Sequence, residues 1–371
     1  MAKPAKIKLD GKSYYAWHYE EQTQIKHKVL GSYYRIFASK VGKDSNTLFF
    51  DCHGGCGAYI KDNCEVSYSS SILVSQVADS VFQTRETNNY CIVCENDDDV
   101  CENLRTVVSN IGISRITIKN GDYNYWICNR RFKENYTKCP TLFFIDPFGY
   151  YGTPMEGMKD LMHSFGNEII INFMFDFLNR GIGVSAIDER QLNSFFGDEQ
   201  WKEAKALSGA EREAYLVDLY KRNLKRITGA KYVFSYRLCY PDRDQTYYYL
   251  IHATNHIDGI TAMKDCFAAI NNGRVEYLGK RNNEISLFDI DYFKQNETAE
   301  LLKNRFAGQT LTFRQLWESV VEETALLEKD LRSSIKLMEQ SGDARISRIE
   351  SKRTGLKGLD KIYFRTKNGN N

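Results

Sequence analysis

Five short strand-like runs, four of them near-continuously apolar, alternate with helical patterns and constrain this chain more than any other feature. "TLFFD" (47–51), "YCIVCE" (90–95), "SRITIKNGD" (114–122), "PTLFFIDPFG" (140–149) and "NEIIINFMF" (167–175) read as strands. Between them lie "SSSILVSQVADSVFQT" (69–84), a helix opened by serines, and "DDDVCENLRTVVSNIG", a helix closed at Gly112. "GMKDLMHSF" is a shorter helix after the fourth run. Near-continuous apolar strands interleaved with helices specify a parallel sheet covered on both faces, the doubly wound α/β class. Ahead of the first strand, a basic and aromatic lead-in is followed by "EEQTQIKHKVLGSYYRIF", with Ile25, Val29, Tyr33 and Ile36 at helical spacing. Lys26 and His27 are candidates for the mouth of a pocket, but the solvated face of that helix is the expected place.

Beyond the fifth strand the character changes. Residues 185–230 are charged and amphipathic, a helical insertion with a break at Ser208–Gly209. "KYVFSYRLCY" (231–240) and "QTYYYLIHATNH" (245–256) flank the turn "PDRD" and form an antiparallel pair that ends the sheet. "DYFKQNETAELLKNRFAG" reads as a polar linker. After it come two helices, "LTFRQLWESVVEET" with Thr312 and Gln315 as a capping box, and "ALLEKDLRSSIKLMEQSG". "ARISRIESKRTGLKGLDKIYF" then alternates apolar and polar residues around a basic, glycine-punctuated loop. Helix, helix and hairpin with a basic tip is the layout of a winged helix. The expected division is residues 1–295 and 305–371.

A net charge of +2 on 371 residues gives no global field toward nucleic acid or anionic lipid, so such partners must be read from local patches. No apolar run is long enough to cross a membrane, and the start lacks the apolar core of a signal peptide, so the expected compartment is the cytoplasm. The ten cysteines include "CIVC" (91–94), whose thiols strand alternation points to opposite faces; reduced structural thiols are expected, with no metal. His252 and His256 sit at i and i+4, which suits a metal only on a helix, and here they fall at a strand end.

In a doubly wound sheet, ligands bind at the carboxyl ends of the strands where strand order reverses. Strand one ends in Asp51 and a turn with Gly54, Gly55 and Gly57. Strand two ends in Glu95, suited to ribose hydroxyls because a carboxylate accepts two hydrogen bonds. Strand three ends in Asp122, placed for an adenine amino group, and strand four in "DPFGYYG". The set fits an adenine nucleoside cofactor, either a nicotinamide dinucleotide or S-adenosylmethionine. The glycines of "HGGCG" are separated by polar residues from the next helix, and nothing there cradles a pyrophosphate, which disfavours the dinucleotide.

"DCHGGCG" resembles the D-x-F-x-G-x-G turn of class I methyltransferases, with Asp51, Gly55 and Gly57 matching and His53 in place of Phe. "FFIDPFG" is similar to the D/N-P-P-Y/F/W motif of amino-methyltransferases; Asp146 and Pro147 match, and Phe148 stands where a second Pro is usual. The ordered set resembles that Rossmann-like fold over roughly residues 30–290. With "IKHKVLGSYY", "INFMFDFLNR", "LIHATNH" and the winged tail added, the chain resembles the bacterial three-Cys-motif partner family, whose members are encoded beside a protein with a three-cysteine motif. His53, Gly54 and Cys56 depart from that family's aromatic-Ala-Gly-Pro-Gly turn.

The resemblance implies that Asp51, His53, Gly55 and Gly57 wrap the methionine moiety of S-adenosylmethionine, while Glu95 holds the ribose and Asp122 the adenine edge. Asp146 and the Pro147 carbonyl then accept hydrogen bonds from a target amine, and Phe148 or Tyr150 stacks on a planar acceptor such as a base. Against this, "DPFG" is also an ordinary strand-to-loop turn. Arg345, Arg348, Lys352, Arg353 and Lys357 supply the tail with phosphate-binding charge, DNA or RNA, or the module only packs against the rest of the chain or a partner. Two functions compete: a methyltransferase acting on a nucleic-acid base or similar planar amine with a neighbouring protein, and a non-catalytic interaction protein on the same fold.

Overall fold

The computed structural model describes residues 5–9, 12–43, 45–85, 87–128, 138–164, 166–182, 188–279, 287–349 and 355–366. The chain divides into two compact units, Met1–Cys266 with Glu276–Lys280, and Phe267–Val275 with Arg281–Asn371.

The first unit runs β1 (Ala5–Leu9), β2 (Lys12–His18), α1 (Glu21–Lys40), β3 (Thr47–Asp51), β4 (Ala58–Ile60), β5 (Val66–Tyr68), α2 (Ser70–Arg85) and β6 (Asn89–Glu95). It continues through α3 (Asp98–Ile111), β7 (Ile116–Asn120), α4 (Tyr123–Cys128), β8 (Thr141–Ile145), β9 (Glu168–Phe173), α5 (Phe175–Ile182), α6 (Glu189–Phe196) and α7 (Gly209–Thr228). It closes with β10 (Tyr232–Cys239), β11 (Thr246–Thr254) and the first ten residues of α8 (Ile257–Ile270), a helix whose last four residues belong to the second unit.

Seven strands form the main sheet in the order β10-β11-β9-β8-β3-β6-β7. From β9 to β7 every pairing is parallel, whereas β11 runs antiparallel to both β9 and β10. This is the doubly wound α/β fold with a terminal antiparallel pair. From β3 the chain builds outward to β6 and β7, then returns to lay β8 on the other side. Strand order therefore reverses between β3 and β8, the place where such sheets bind ligands.

Alternation along the central strands sends successive side chains to two cores. Phe49 and Phe144 stack on one face, with Tyr34 of α1 set edge-on against Phe49. Leu48, Phe50, Phe143 and Ile145 join the opposite core, where Phe195, Phe196, Trp201 and Tyr220 from residues 189–228 cover them. The helical insertion is thus the layer that closes one face of the sheet. Its expected break holds: a short 3₁₀ helix ends at Ala206 and α7 begins at Gly209 after Ser208.

Two elements were hidden in the sequence. The basic, aromatic lead-in is a hairpin, β1–β2, and the polar stretch after the glycine turn is a second hairpin, β4–β5. β2 pairs parallel with β4, giving a separate sheet, β1-β2-β4-β5. β4 and β5, three residues each, carry too little alternation to be read as strands.

In the second unit the expected linker is a helix, α9 (Leu287–Phe306). Its buried stripe is narrow, Thr298, Leu302 and Phe306 at intervals of four, and the polar composition masks it. There follow β12 (Thr310–Thr312), α10 (Phe313–Val320), α11 (Glu328–Ser341), β13 (Ala344–Ser347) and β14 (Lys361–Phe364), with the strands in the order β12-β14-β13. The capping box forms: Gln315 N–H donates to Thr312 Oγ1 at 3.2 Å and Thr312 N–H to Gln315 Oε1 at 2.9 Å. Asp360, 2% exposed, accepts the N–H groups of Ile349 and Lys357 and ties the base of the β13–β14 connection. Among the described residues no helix is long and apolar enough to cross a membrane.

Candidate functional site

Asp51 ends β3 wholly buried. Its carboxylate accepts the His53 N–H at 3.2 Å and the Ser70 hydroxyl at 2.8 Å. One oxygen is engaged by the turn and the other by the start of α2, so Asp51 holds the glycine loop from below. Burial pushes its carboxyl up to about 7, against the pull of those two hydrogen bonds.

The glycines divide by task. A Cβ on Gly54 would lie 2.3 Å from Val93 Cγ1, and one on Gly57 2.8 Å from Leu104 Cδ1, so both positions let β6 and α3 pack close. Gly55 is different. Its φ is +63° and a Cβ there would meet nothing within 4 Å among the described residues, which leaves an open face over the turn.

Glu95 borders that face. Its Oε2 accepts the Gly55 N–H at 2.8 Å and its Oε1 the Asp97 N–H at 3.0 Å, joining the turn to the start of α3. A carboxylate offers about four acceptor positions, so about two remain for hydroxyl donors. The Gly121 N–H donates to the Glu95 carbonyl at 2.8 Å, which brings the third strand end alongside. Asp122 is exposed, and its Oδ1 accepts both the backbone and side-chain N–H of Asn124, at 2.7 and 2.9 Å.

Asp146, just beyond β8, is the centre of a network. Lys26 Nζ donates to its Oδ2 at 2.5 Å, and Asn172 Nδ2 donates to its Oδ1 at 2.5 Å. Burial alone would raise the Asp146 carboxyl. The Lys26 charge, hydrogen bonds from Lys26 and Asn172, and His53 together outweigh it and hold the group below the ordinary aspartate value. Lys26 is 5% exposed, with its ammonium 5.9 Å from the Phe144 ring centroid and 5.7 Å from that of Tyr248. Its expected place on a solvated helix face is therefore corrected, and His27 beside it is also buried, bonded to the Tyr19 hydroxyl. Asn172 is 4% exposed, and its Oδ1 has no hydrogen-bond partner among the described residues. An unpaired buried amide oxygen costs about 1–3 kcal/mol.

His53 closes the network from the turn. Its Nδ1 accepts the Asp146 N–H at 3.2 Å, its ring packs on Tyr123, and burial pushes its imidazole down to about 4. It is neutral at pH 7, with the proton on Nε2.

Aromatic faces rim this end of the sheet. Phe148 is 58% exposed and lies 5.9 Å from Trp17. Tyr150, expected to stack on a ligand, is instead buried, because Tyr151 stacks over it at 4.4 Å and Phe177 abuts it. The face it was expected to offer belongs to Tyr151, which is half exposed. Pro147 follows Asp146 and is buried.

Other expected positions lie elsewhere. A cavity of about 700 Å³, lined by Tyr33, Pro140, Glu168 and Gly259, opens at the amino ends of β8 and β9, away from the strand ends just described. Beside it Glu168 accepts Tyr33 Oη, His252 Nε2 and Thr254 Oγ1, so His252 serves a buried acid. Among the described residues no group of His, Cys, Asp and Glu could hold a metal ion. Cys91 Sγ faces the Ser71 carbonyl, whereas Cys94 joins Cys52 in the other core.

In the second unit Arg345 is exposed over the Tyr363 ring, and Lys357 is exposed. Arg348 is gripped by both oxygens of Glu339, at 2.8 and 2.6 Å, and is less available to a phosphate than its sequence position implied. Lys352 and Arg353 lie outside the described residues.

Neither Lys26 nor Asn172 was assigned a role from the sequence. The signal for Asn172 was present: a lone amide in "EIIINF" must find a partner when the strand is buried. Nothing in α1 marks Lys26, since a buried ammonium is uncommon and its partner lies 120 residues away.

No family model matches the chain, and no curated protein matches it. Among solved structures it is similar to protein LPL1258 of Legionella pneumophila str. Philadelphia 1, at 12% identity and a TM-score of 0.41, covering 68% of this chain and 94% of that one. M. jannaschii TYW2 in complex with AdoMet matches at 7% identity and a TM-score of 0.33, over 68% of this chain and 86% of that one. Precorrin-6y C5,15-methyltransferase from Geobacter metallireducens GS-15 matches at 10% identity and a TM-score of 0.29, over 60% and 87%. These are likenesses of fold, and the chemistry has to be read from the residues.

Proposed function

We propose that the chain is an S-adenosylmethionine-dependent methyltransferase that modifies an amino group on a planar acceptor, a nucleic-acid base or a group like it. The observation that carries this is convergence: the open Gly55, Glu95, Asp122 and Asp146 meet at the carboxyl ends of β3, β6, β7 and β8, beside the point where strand order reverses.

The residues present fit the cofactor. Glu95 keeps acceptor positions for ribose hydroxyls, Asp122 Oδ2 is an exposed acceptor for an adenine amino group, and the face over Gly55 admits a ligand backbone-close. Gly57, by its packing on Leu104, shapes the turn. When bound, S-adenosylmethionine would supply an electrophilic methyl group on sulfur. The chain would contribute alignment and exclusion of water. Asp146 and the Pro147 carbonyl would orient the amine lone pair, while Phe148 and Tyr151 would cover the acceptor plane. Because Asp146 is held below the ordinary acid range, it serves as a hydrogen-bond acceptor and not as a proton store.

The test is calorimetric titration of the full chain with S-adenosylhomocysteine. Binding that Glu95→Ala and Gly55→Val remove is the expected result; no heat and an unchanged melting temperature would sink the proposal. We further propose that the second unit is a winged helix serving a nucleic acid or a neighbouring three-cysteine protein, in a bacterial cytoplasm. Its helix, strand, two helices and hairpin support this.

One observation favours the competing, non-catalytic function: both Asp146 oxygens are already engaged within the chain. Transfer of labelled methyl groups to DNA, RNA or a partner, abolished by Asp146→Ala, would exclude it.

A further inference from the structure

Asn172 is held in one orientation. Its Nδ2 donates to Asp146 Oδ1 and lies 3.3 Å from Met174 Sδ, which fixes the amide so that Oδ1 points away from both. That oxygen is buried and meets no donor among the described residues. Asp146 beside it keeps further acceptor capacity, since each carboxylate oxygen takes two hydrogen bonds. On its other oxygen, Oδ2, the same carboxylate already holds a nitrogen donor, the Lys26 ammonium, near the rings of Phe144 and Tyr248.

We propose that Asn172 is a specificity-determining residue of the acceptor site, and that with Asp146 it restricts the acceptor to a primary amine that receives a single methyl group. This rests on the methyltransferase function proposed above. A primary amine brings two N–H donors: Asp146 takes one, and Asn172 Oδ1, in place of the Pro147 carbonyl, takes the other. Transfer breaks the carbon–sulfur bond of the sulfonium, whose electron pair stays on sulfur. The amine lone pair forms the carbon–nitrogen bond, and one proton leaves to solvent. The product keeps one N–H, satisfies one of the two acceptors, and is held less tightly than the substrate. A hydroxyl or keto acceptor fails the same requirement. Sites built to bond a donor reject analogues that lack it far more strongly than apolar pockets reject a missing methylene. Lys26 is the positioning residue: it fixes the Asp146 carboxylate from the side opposite Asn172.

The experiment uses the full chain saturated with S-adenosylhomocysteine and titrated with adenosine, N6-methyladenosine, inosine, cytidine, N4-methylcytidine and uridine. An amino nucleoside is expected to bind at least about tenfold tighter than its methylated and keto counterparts, or about 1.4 kcal/mol. Asn172→Ala should shrink that ratio to under about threefold while leaving S-adenosylhomocysteine affinity within about twofold. If the alanine variant does not fold, Asn172→Ser, checked by its melting temperature, takes its place. Equal affinity for amino and methylated nucleosides, discrimination that survives in the variant, or binding of S-adenosylhomocysteine without any amino nucleoside would each overturn the assignment and leave the proposed function standing. Failure of S-adenosylhomocysteine to bind would overturn both.

Discussion

His53 Nδ1 accepts the backbone N–H of Asp146 at 3.2 Å, so the turn after β3 and the end of β8 are joined directly across the point where strand order reverses. The residue that departs most visibly from the methyltransferase turn is therefore a clamp on the residue proposed to hold the acceptor. His53→Phe supplies the usual aromatic and removes the acceptor for a buried N–H. A loss of about 1–3 kcal/mol is expected at pH 7.5, measured by urea unfolding. The imidazole is pushed down to about 4 in the folded chain against 6.5 unfolded, so its stability is present above about 6.5 and lost as pH falls toward 4. Wild type should lose up to about 3 kcal/mol more than the variant over that window. Parallel pH profiles for the two proteins would show that His53 does not titrate this way.

Asp51 has the opposite sign. Its folded value, pushed up to about 7 by burial, lies above the ordinary 3.8, so its contribution is present below about 3.8 and lost as pH rises through about 7. Asn in its place keeps an oxygen for the His53 N–H and a polar group for Ser70. Asp51→Asn should match wild type near pH 4 and exceed it by about 2–4 kcal/mol at pH 9, read from denaturant midpoints. A variant less stable than wild type at pH 9 would mean that the carboxylate charge is needed to hold the turn.

Lys26 and Asp146 are 6% and 16% exposed at their side chains, an ion pair largely out of water. Removing one partner strands a charge. Lys26→Met should cost about 3–5 kcal/mol, and adding Asp146→Asn should restore much of the loss. A double variant no more stable than Lys26→Met would locate the cost in packing against Phe144 and Tyr248.

The sheet and its reversal point were legible because strands buried on both faces must be apolar from end to end, as in "TLFFD" and "TLFFI". The places of Glu95 and Asp122 at the ends of β6 and β7 were legible because strand ends are countable. The β4–β5 hairpin was not, since its strands are three residues long, nor was α9, whose buried stripe of Thr298, Leu302 and Phe306 hides among charges. Tyr150 and Tyr151 are adjacent in sequence, and only packing decides which is covered: Tyr150 lies under Tyr151 and beside Phe177, leaving Tyr151 outermost. The Lys26–Asp146 pair needs both α1 and β8 in place before either residue has a meaning.

The basic residues of the second unit separate by partner. Arg348 is committed to Glu339, while Arg345 and Lys357 are exposed, Arg345 stacked on Tyr363. If the unit binds nucleic acid through phosphates, each of Arg345→Ala and Lys357→Ala should weaken binding uniformly across sequences. Each should also lower the slope of log affinity against log salt by about 1. Arg348→Ala should instead act on the fold, by under about 1 kcal/mol because the pair is part-exposed, and leave the salt slope alone. Fluorescence anisotropy with a labelled DNA or RNA duplex at several salt concentrations measures both. A slope that falls in Arg348→Ala and not in Arg345→Ala would reverse the assignment, because the Glu339 pair would then have to open whenever nucleic acid is bound.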